Sequence, residues 1–185
     1  ISMAAAGAME AAVEADRRIA YLEKLAHTDE LTGLCNRRGF ELELKRCLAS
    51  AHRYAEQGLL IIVDLDGFKS INDTYGHAAG DEVLRGTAKL LLENVRTCDV
   101  VGRLGGDEFA ILIPRSDWEP ATKRARIIED VLNETFVGWE GRRISIHASL
   151  GIQAFNGESD TCFLFAEADK AMYRSKHERR ASRTA

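Results

Sequence analysis

The sequence predicts an α+β domain: a ferredoxin-like β-α-β-β-α-β core, helices on one face of a largely antiparallel sheet, with extra helices, a β-hairpin and an N-terminal helix. Three observations predict it. The order of apolar patterns along the chain is helix, strand, helices, two adjoining strands, helix, strands, helix. Leu59-Leu60-Ile61-Ile62-Val63 after Gly58 is a short continuous apolar run, the pattern of a strand buried on both faces. Gly105-Gly106 between the apolar stretches Val100–Leu104 and Phe109–Ile113 is a hairpin signal.

Residues 1–26 are Ala-rich, and Ala12, Ala15, Ile19, Leu22 and Ala26 make a narrow heptad-like seam. That seam suits either packing on the chain's own domain or a coiled-coil linker to a partner. Gly33 breaks the pattern within His27–Asn36, so residues 1–26 are read as a linker helix and 27–185 as the domain. From Arg37 to Glu56 the spacing predicts a helix, with Phe40, Leu44 and Leu48 on one stripe. After the strand at Leu59–Val63 comes a polar stretch to Asp81. A helix follows, striped by Val83, Leu84, Ala88, Leu91, Leu92 and Val95. Residues 117–134 read as a helix, Phe136–Trp139 and Arg143–Phe155 as strands around a turn at Gly141. A last helix at about 161–178 buries Leu164, Ala168, Ala171 and Met172.

The bulk numbers narrow the function. At 185 residues, 45% apolar and 29% charged, the chain is an ordinary globular domain. A net charge of −4 argues against binding a nucleic-acid polymer, because phosphate backbones select basic surfaces. No apolar run approaches a membrane span, so no membrane contact is expected of this segment. Cys35, Cys47, Cys98 and Cys162 form no metal-ligand spacing and read as isolated buried thiols of a reducing cytoplasm. The first residue is Ile rather than Met, the mark of a piece of a longer protein whose upstream part could hold a sensor or membrane anchor.

Chemistry concentrates at strand ends. Asp64 and Asp66 lie two apart at the end of a buried strand, and Gly105-Gly106-Asp107-Glu108 adds two carboxylates at the hairpin turn. If those strands are neighbours, three or more carboxylates converge on one sheet edge. Such a cluster raises its own pKa values unless a cation compensates it, and oxygen ligands of this kind suit Mg²⁺ or Mn²⁺. Each Asp alone would read as a turn cap. Backbone amides at Gly67, Phe68 and Lys69 after the Asp pair form a loop able to cradle phosphate oxygens, with the Lys69 ammonium beside it.

Several stretches carry a family resemblance. Asp64-Leu65-Asp66-Gly67-Phe68-Lys69-Ser70-Ile71-Asn72-Asp73, Gly76-His77-Ala78-Ala79-Gly80-Asp81 and Arg103-Leu104-Gly105-Gly106-Asp107-Glu108-Phe109 resemble the GGDEF diguanylate cyclase family. So do Asp29-Glu30-Leu31-Thr32-Gly33-Leu34, Asn36-Arg37-Arg38, and Ala168-Asp169-Lys170-Ala171-Met172-Tyr173 with Lys176. The resemblance runs in order over about residues 27–180 and implies a nucleotide-cyclase, palm-like fold. It implies an enzyme condensing two GTP into cyclic di-GMP, with Mg²⁺ or Mn²⁺ held by Asp64, the Leu65 carbonyl, Asp107 and Glu108. Asp107, Glu108 and Lys69 are the implied catalytic residues, Glu108 as either metal ligand or base for the 3′-hydroxyl. Gly67, Phe68, Lys69, Lys176 and Arg180 are the implied phosphate contacts, and Asn72 with Asp81 the implied guanine contacts. Asp66 is left to hold its turn. Arg96-Thr97-Cys98-Asp99 has the family's inhibitory-site spacing ahead of Gly105, where product binds; Arg124 and Arg126 are candidates for a second arginine there. The family's closing strand has only Ala181–Ala185 to form it.

The resemblance also implies a homodimer through the catalytic faces, with the N-terminal helix a second route to pairing. Two other readings compete: a nucleotide-binding member without turnover, and another cyclase or polymerase-like palm domain. The intact Gly105–Phe109 stretch favours turnover. The Asn72/Asp81 pair and the Arg96/Asp99 spacing favour cyclic di-GMP chemistry.

Overall fold

The structure, a computed structural model, describes residues 9, 12–18, 22 and 25–183, with side chains through His177. Strand β1 (Cys35–Asn36) leads into helix α1 (Arg37–Tyr54), then β2 (Gln57–Leu65), α2 (Phe68–Tyr75) and α3 (His77–Glu93). The hairpin β3 (Val100–Gly105) and β4 (Glu108–Pro114) follows, then α4 (Trp118–Glu134), β5 (Phe136–Trp139), β6 (Arg142–Ser145), β7 (Ala148–Asn156) and α5 (Thr161–Arg183).

The main sheet has the order β1-β3-β4-β2-β7. β2 lies antiparallel between β4 and β7, β3 is antiparallel to β4, and only β1 runs parallel to its neighbour. Without β1 this is the strand order of the ferredoxin-like core that the sequence predicts. Successive residues of β2 point to opposite faces, and both faces are buried. Leu59, Ile61, Val63 and Leu65 meet Val83, Leu84 and Leu91 of α3 and Ala125, Ile128 and Leu132 of α4 in one cluster. Leu60 and Ile62, with Ala110 and Leu112 of β4, meet Phe40 and Leu44 of α1 and Leu164 and Ala168 of α5 in the other. Helices therefore cover both faces rather than the one face expected. The continuous apolar run of β2 already required this, since each buried Leu or Ile is worth about 1.5–3 kcal/mol only if both faces are covered.

Four further expectations change. The polar stretch to Asp81 holds helix α2, whose Phe68, Ile71 and Tyr75 pack on the core at a spacing of 3 and 4. The expected strand Arg143–Phe155 is two strands in different sheets, parted where the Ile146 amide donates to the Thr135 carbonyl and the Asp66 amide to the His147 carbonyl. Among the described residues no closing strand follows the last helix, which continues to Arg183. Cys98 and Cys162 are exposed, while Cys35 and Cys47 are half-buried.

At the N-terminus residues 12–18 and 25–27 are helical. Ala12, Ala15, Leu22 and Ala26 of the expected seam are exposed rather than packed on this chain's core, and Ile19 lies outside the described residues. Asn36 joins that segment to the domain. Its side-chain amide donates to the carbonyls of Ala26 and Thr28, at 3.0 and 3.2 Å, while its carbonyl oxygen caps α1 by accepting from the Gly39 amide at 2.9 Å.

Candidate active site

The β2–β4 register sets Asp64 opposite Glu108, so both side chains project from the α1–α5 face of the sheet. The Leu65 amide donates to the Asp107 carbonyl at 3.2 Å, drawing the hairpin turn over the end of β2. Gly106 adopts φ 49°, a conformation that lets the chain reverse with Asp107 and Glu108 at its exit. Asp64, Asp107 and Glu108 are thus brought to one edge, as the sequence expects of them. Burial pushes the Asp107 carboxyl above the ordinary carboxylate range, and the Asp64 charge pushes it further. Burial also pushes Glu108 up; Arg37 opposes this, and Asp169, Asp64 and Asp107 add to it.

Lys176, Arg37 and Arg103 answer this negative charge, Arg103 acting on Asp107. Lys176 of α5 forms an ion pair with Asp64 and lies 3.7 Å from Asp66 Oδ1. Arg37, at the start of α1, lies 3.6 Å from Glu108 Oε2 and donates from Nε to the Leu104 carbonyl at 3.1 Å. Asp66 holds the strand end, accepting from Ser149 Oγ at 2.9 Å while its amide bonds the His147 carbonyl. That is the turn-holding task expected of it. Arg180 lies one helical step beyond Lys176 on α5, with its side chain outside the described residues.

After the acidic strand end, Gly67 at φ 74° precedes α2, and no side chain caps the helix start at Phe68 and Lys69. Lys69 is exposed. Asn72 lies on α2 and Asp81 on α3, joined at Gly76. A β-carbon at Gly80 would collide with Asn72 Oδ1, so the missing side chain lets the Asn72 amide lie beside the Asp81 segment.

A second arrangement lies away from these carboxylates. Asp99 Oδ2 accepts from the Arg96 amide at 2.8 Å and lies 4.0 Å from Arg124, and its side chain is covered. Arg96, Lys123, Arg124 and Ile127 line a groove of ≈ 480 Å³ between the α3–β3 loop and α4. Of the two candidate arginines, Arg124 lines this groove and Arg126 does not.

Sequence reasoning assigned no role to Arg37, Asp169 or Arg103. Arg103 donates from Nε and Nη2 to the Gly106 carbonyl, at 3.0 and 2.8 Å, and from Nη1 to both Asp29 oxygens at 3.2 Å. Their only signal was position within the quoted motifs.

Comparison with known proteins agrees with this geometry. The family profile "Diguanylate cyclase, GGDEF domain" matches residues 26–182. The chain is 40% identical over 166 residues to the diguanylate cyclase TpbB of Pseudomonas aeruginosa, covering 89% of this chain and 38% of that protein. It is 38% identical over 165 residues to the probable diguanylate cyclase DgcE of Escherichia coli, covering 89% of this chain and 15% of that one. It therefore spans well under half the length of these relatives. Among solved structures it is similar to the coiled coil and GGDEF domain of DgcB from Caulobacter crescentus in complex with c-di-GMP. That match has a TM-score of 0.83 and 28% identity, and covers 96% of each chain. The GGDEF domain of TpbB matches with a TM-score of 0.77 and 39% identity, covering 82% of this chain and 90% of that one.

Proposed function

Because the chain belongs to the diguanylate cyclase GGDEF domain family, we propose that it is a cyclase unit that condenses two GTP into cyclic di-GMP and two pyrophosphates. The observation that carries this is the convergence of Asp64, Asp107 and Glu108 at the end of β2, beside the uncapped start of α2.

The donor set fits Mg²⁺ or Mn²⁺: Asp64, the Leu65 carbonyl, Asp107 and Glu108 are all hard oxygen donors. Among the described residues no three acidic, His or Cys side chains form a ready-made cage. That suits ions that keep waters and share substrate phosphates. Bound there, the cation would neutralise triphosphate charge and ease deprotonation of the attacking 3′-hydroxyl.

The chain's own residues do the rest. The amides of Gly67, Phe68 and Lys69 and the ammonium groups of Lys69 and Lys176, with Arg180, hold the triphosphate. Lys176, which pairs with Asp64, is the cation within reach of both the carboxylates and an incoming phosphate. Asn72 and Asp81 read guanine, Asp81 accepting from N1–H and the exocyclic amine, a donor pattern adenine lacks. Lys69 steadies charge on the transferring phosphoryl group, and Glu108 ligates metal or takes the 3′-hydroxyl proton.

One chain offers one such site, while the product needs two nucleotides face to face, so the working unit is a homodimer joined through the catalytic faces. The groove lined by Arg96 and Arg124, with the covered Asp99 carboxylate holding the Arg96 backbone behind it rather than facing a ligand, is the site of product inhibition. That the DgcB relative was solved with c-di-GMP supports binding of that product. The chain acts in the cytoplasm, where GTP is supplied. One assay tests both readings: incubation with GTP and Mg²⁺, with products separated by chromatography, with and without added cyclic di-GMP. Cyclic di-GMP and pyrophosphate are expected, and added product should slow wild type but not Arg96→Ala. No cyclic di-GMP at any protein concentration would refute the cyclase reading. An equal response of the two proteins would remove the inhibitory groove.

A further inference from the structure

We propose that Arg37 is a positioning residue that holds Glu108 and the Gly105–Gly106 turn in their reactive pose, an inference that rests on the cyclase reading of that turn. Arg37 comes from a separate part of the fold. It is the first residue of α1, and its backbone is fixed on both sides, by the β1–β3 pairing of Asn36 with Arg103 and by the Asn36 cap on Gly39. From that fixed base its guanidinium spans the hairpin. Nε donates to the Leu104 carbonyl at 3.1 Å, on the strand entering the turn, and Nη2 lies 3.6 Å from Glu108 Oε2, on the strand leaving it.

The charges around Glu108 make this contact decisive for its pose. Asp64 of β2, Asp107 of the turn and Asp169 of α5 all bear on the Glu108 carboxylate, and each repels it. Arg37 is the cation that opposes them. Without it, the nearest relief for Glu108 is rotation outward into water, away from Asp64 and Asp107. The pair is half exposed, 53% for Arg37 and 43% for Glu108, so it adds little to stability and its consequence is orientation. Arg103 holds the opposite side of the same turn through the Gly106 carbonyl, but its guanidinium is tied to Asp29 and only 14% exposed. The two arginines thus fix the carbonyls on either side of Gly105; the Arg103 charge bears on Asp107, and Arg37 is the one that acts on Glu108. A lysine could supply the charge but lacks the planar fork that serves a carbonyl and a carboxylate together.

The experiment compares wild type with Arg37→Ala, Arg37→Lys and the neighbouring Arg38→Ala, each checked by thermal melting. It measures kcat, KM and GTP affinity by calorimetry, and hydrogen exchange of the peptide covering 104–108. Arg37→Ala should lose about 10–100-fold in kcat, the usual cost of removing a supporting partner, with GTP affinity nearly unchanged and faster exchange in that peptide. Arg37→Lys should recover only part of both losses, and Arg38→Ala should match wild type. Unchanged kcat and exchange in Arg37→Ala would overturn the proposal. So would a loss confined to GTP affinity, which would make Arg37 a substrate contact. Failure of wild type to make cyclic di-GMP would sink the cyclase reading instead; the exchange comparison would still decide whether Arg37 holds the turn.

Discussion

Asp107 and Glu108 are costly to the fold that contains them. Burial and neighbouring negative charge raise both carboxyls above their ordinary range, so the folded state binds these protons more tightly than the unfolded chain. By linkage, the ionised groups lower stability at neutral pH, and that loss is relieved as pH falls through the raised values toward the ordinary carboxylate pKa of about 4. Asp107→Asn should therefore raise the melting temperature of the metal-free protein at pH 7 while abolishing product, and the gap should close near pH ~4. A variant that melts at or below wild type at pH 7 would contradict this account of the site's electrostatics. Asp29 runs the other way. Burial raises its carboxyl, but hydrogen bonds from Thr32 and the Arg103 charge outweigh burial and lower it, so its contribution is lost as pH falls through that lowered value. At this scale the sequence exposed what lies close along the chain: two carboxylates beside a glycine turn and two more at a strand end. It could not expose Arg37 opposite Glu108, Arg103 on Asp29 or Ser149 on Asp66. Those contacts join residues far apart in sequence, and an isolated Arg or Ser carries no spacing signal.

The α2–α3 pair shows what an element adds. Gly80 lies inside α3, where a glycine normally costs about 1 kcal/mol relative to alanine. Here a β-carbon would collide with Asn72 Oδ1 and come within 3.0 Å of Asn72 Cγ and 3.2 Å of Phe68 Cζ. The obstructing atom is the end of a flexible amide, so Gly80→Ala should leave thermal stability near wild type, the helix gain offset by displacement of Asn72. If Asn72 reads guanine with Asp81, the same change should weaken GTP binding and reduce the preference over ATP. A single misplaced hydrogen bond costs about 1–3 kcal/mol, roughly 5- to 150-fold. Calorimetry with both nucleotides checks this, and unchanged discrimination would remove Asn72 from base recognition. Elements were legible where their period was clean, as in β2, the β3–β4 hairpin and α4. α2 was hidden because Lys69, Ser70, Asn72, Asp73 and Thr74 outnumber its apolar residues. The β6–β7 break was hidden because Ile144, Ile146, Ala148 and Leu150 alternate without interruption, and the change of sheet is imposed by Thr135 and Asp66 from elsewhere.

Among the described residues Asp64, Asp107 and Glu108 gather at one sheet edge, and the proposed condensation of two GTP asks for two such edges. Order alone foretold the core's strand arrangement, because short connections leave few ways to pair a central β2 with β4 and β7. It could not foretell assembly. The described seam residues Ala12, Ala15, Leu22 and Ala26, together with Val13 and Leu25, are exposed, so whatever covers that stripe is not this chain's own core. If residues 1–26 pair with those of a second copy, they raise the local concentration of catalytic faces without touching either nucleotide site. Specific activity should then climb with protein concentration and level off. Removing residues 1–26 should shift the climb to higher concentration while leaving the plateau unchanged, because the residues proposed to bind and transform GTP all lie downstream. Sedimentation over the same range should show dimer appearing where activity does. A flat specific activity from a chain that sediments as monomer at every concentration would rule out the dimeric mechanism. A lowered plateau after truncation would show instead that the N-terminal residues shape the catalytic site itself. The dilution series separates these outcomes, since an assembly defect is overcome by mass action and a damaged site is not.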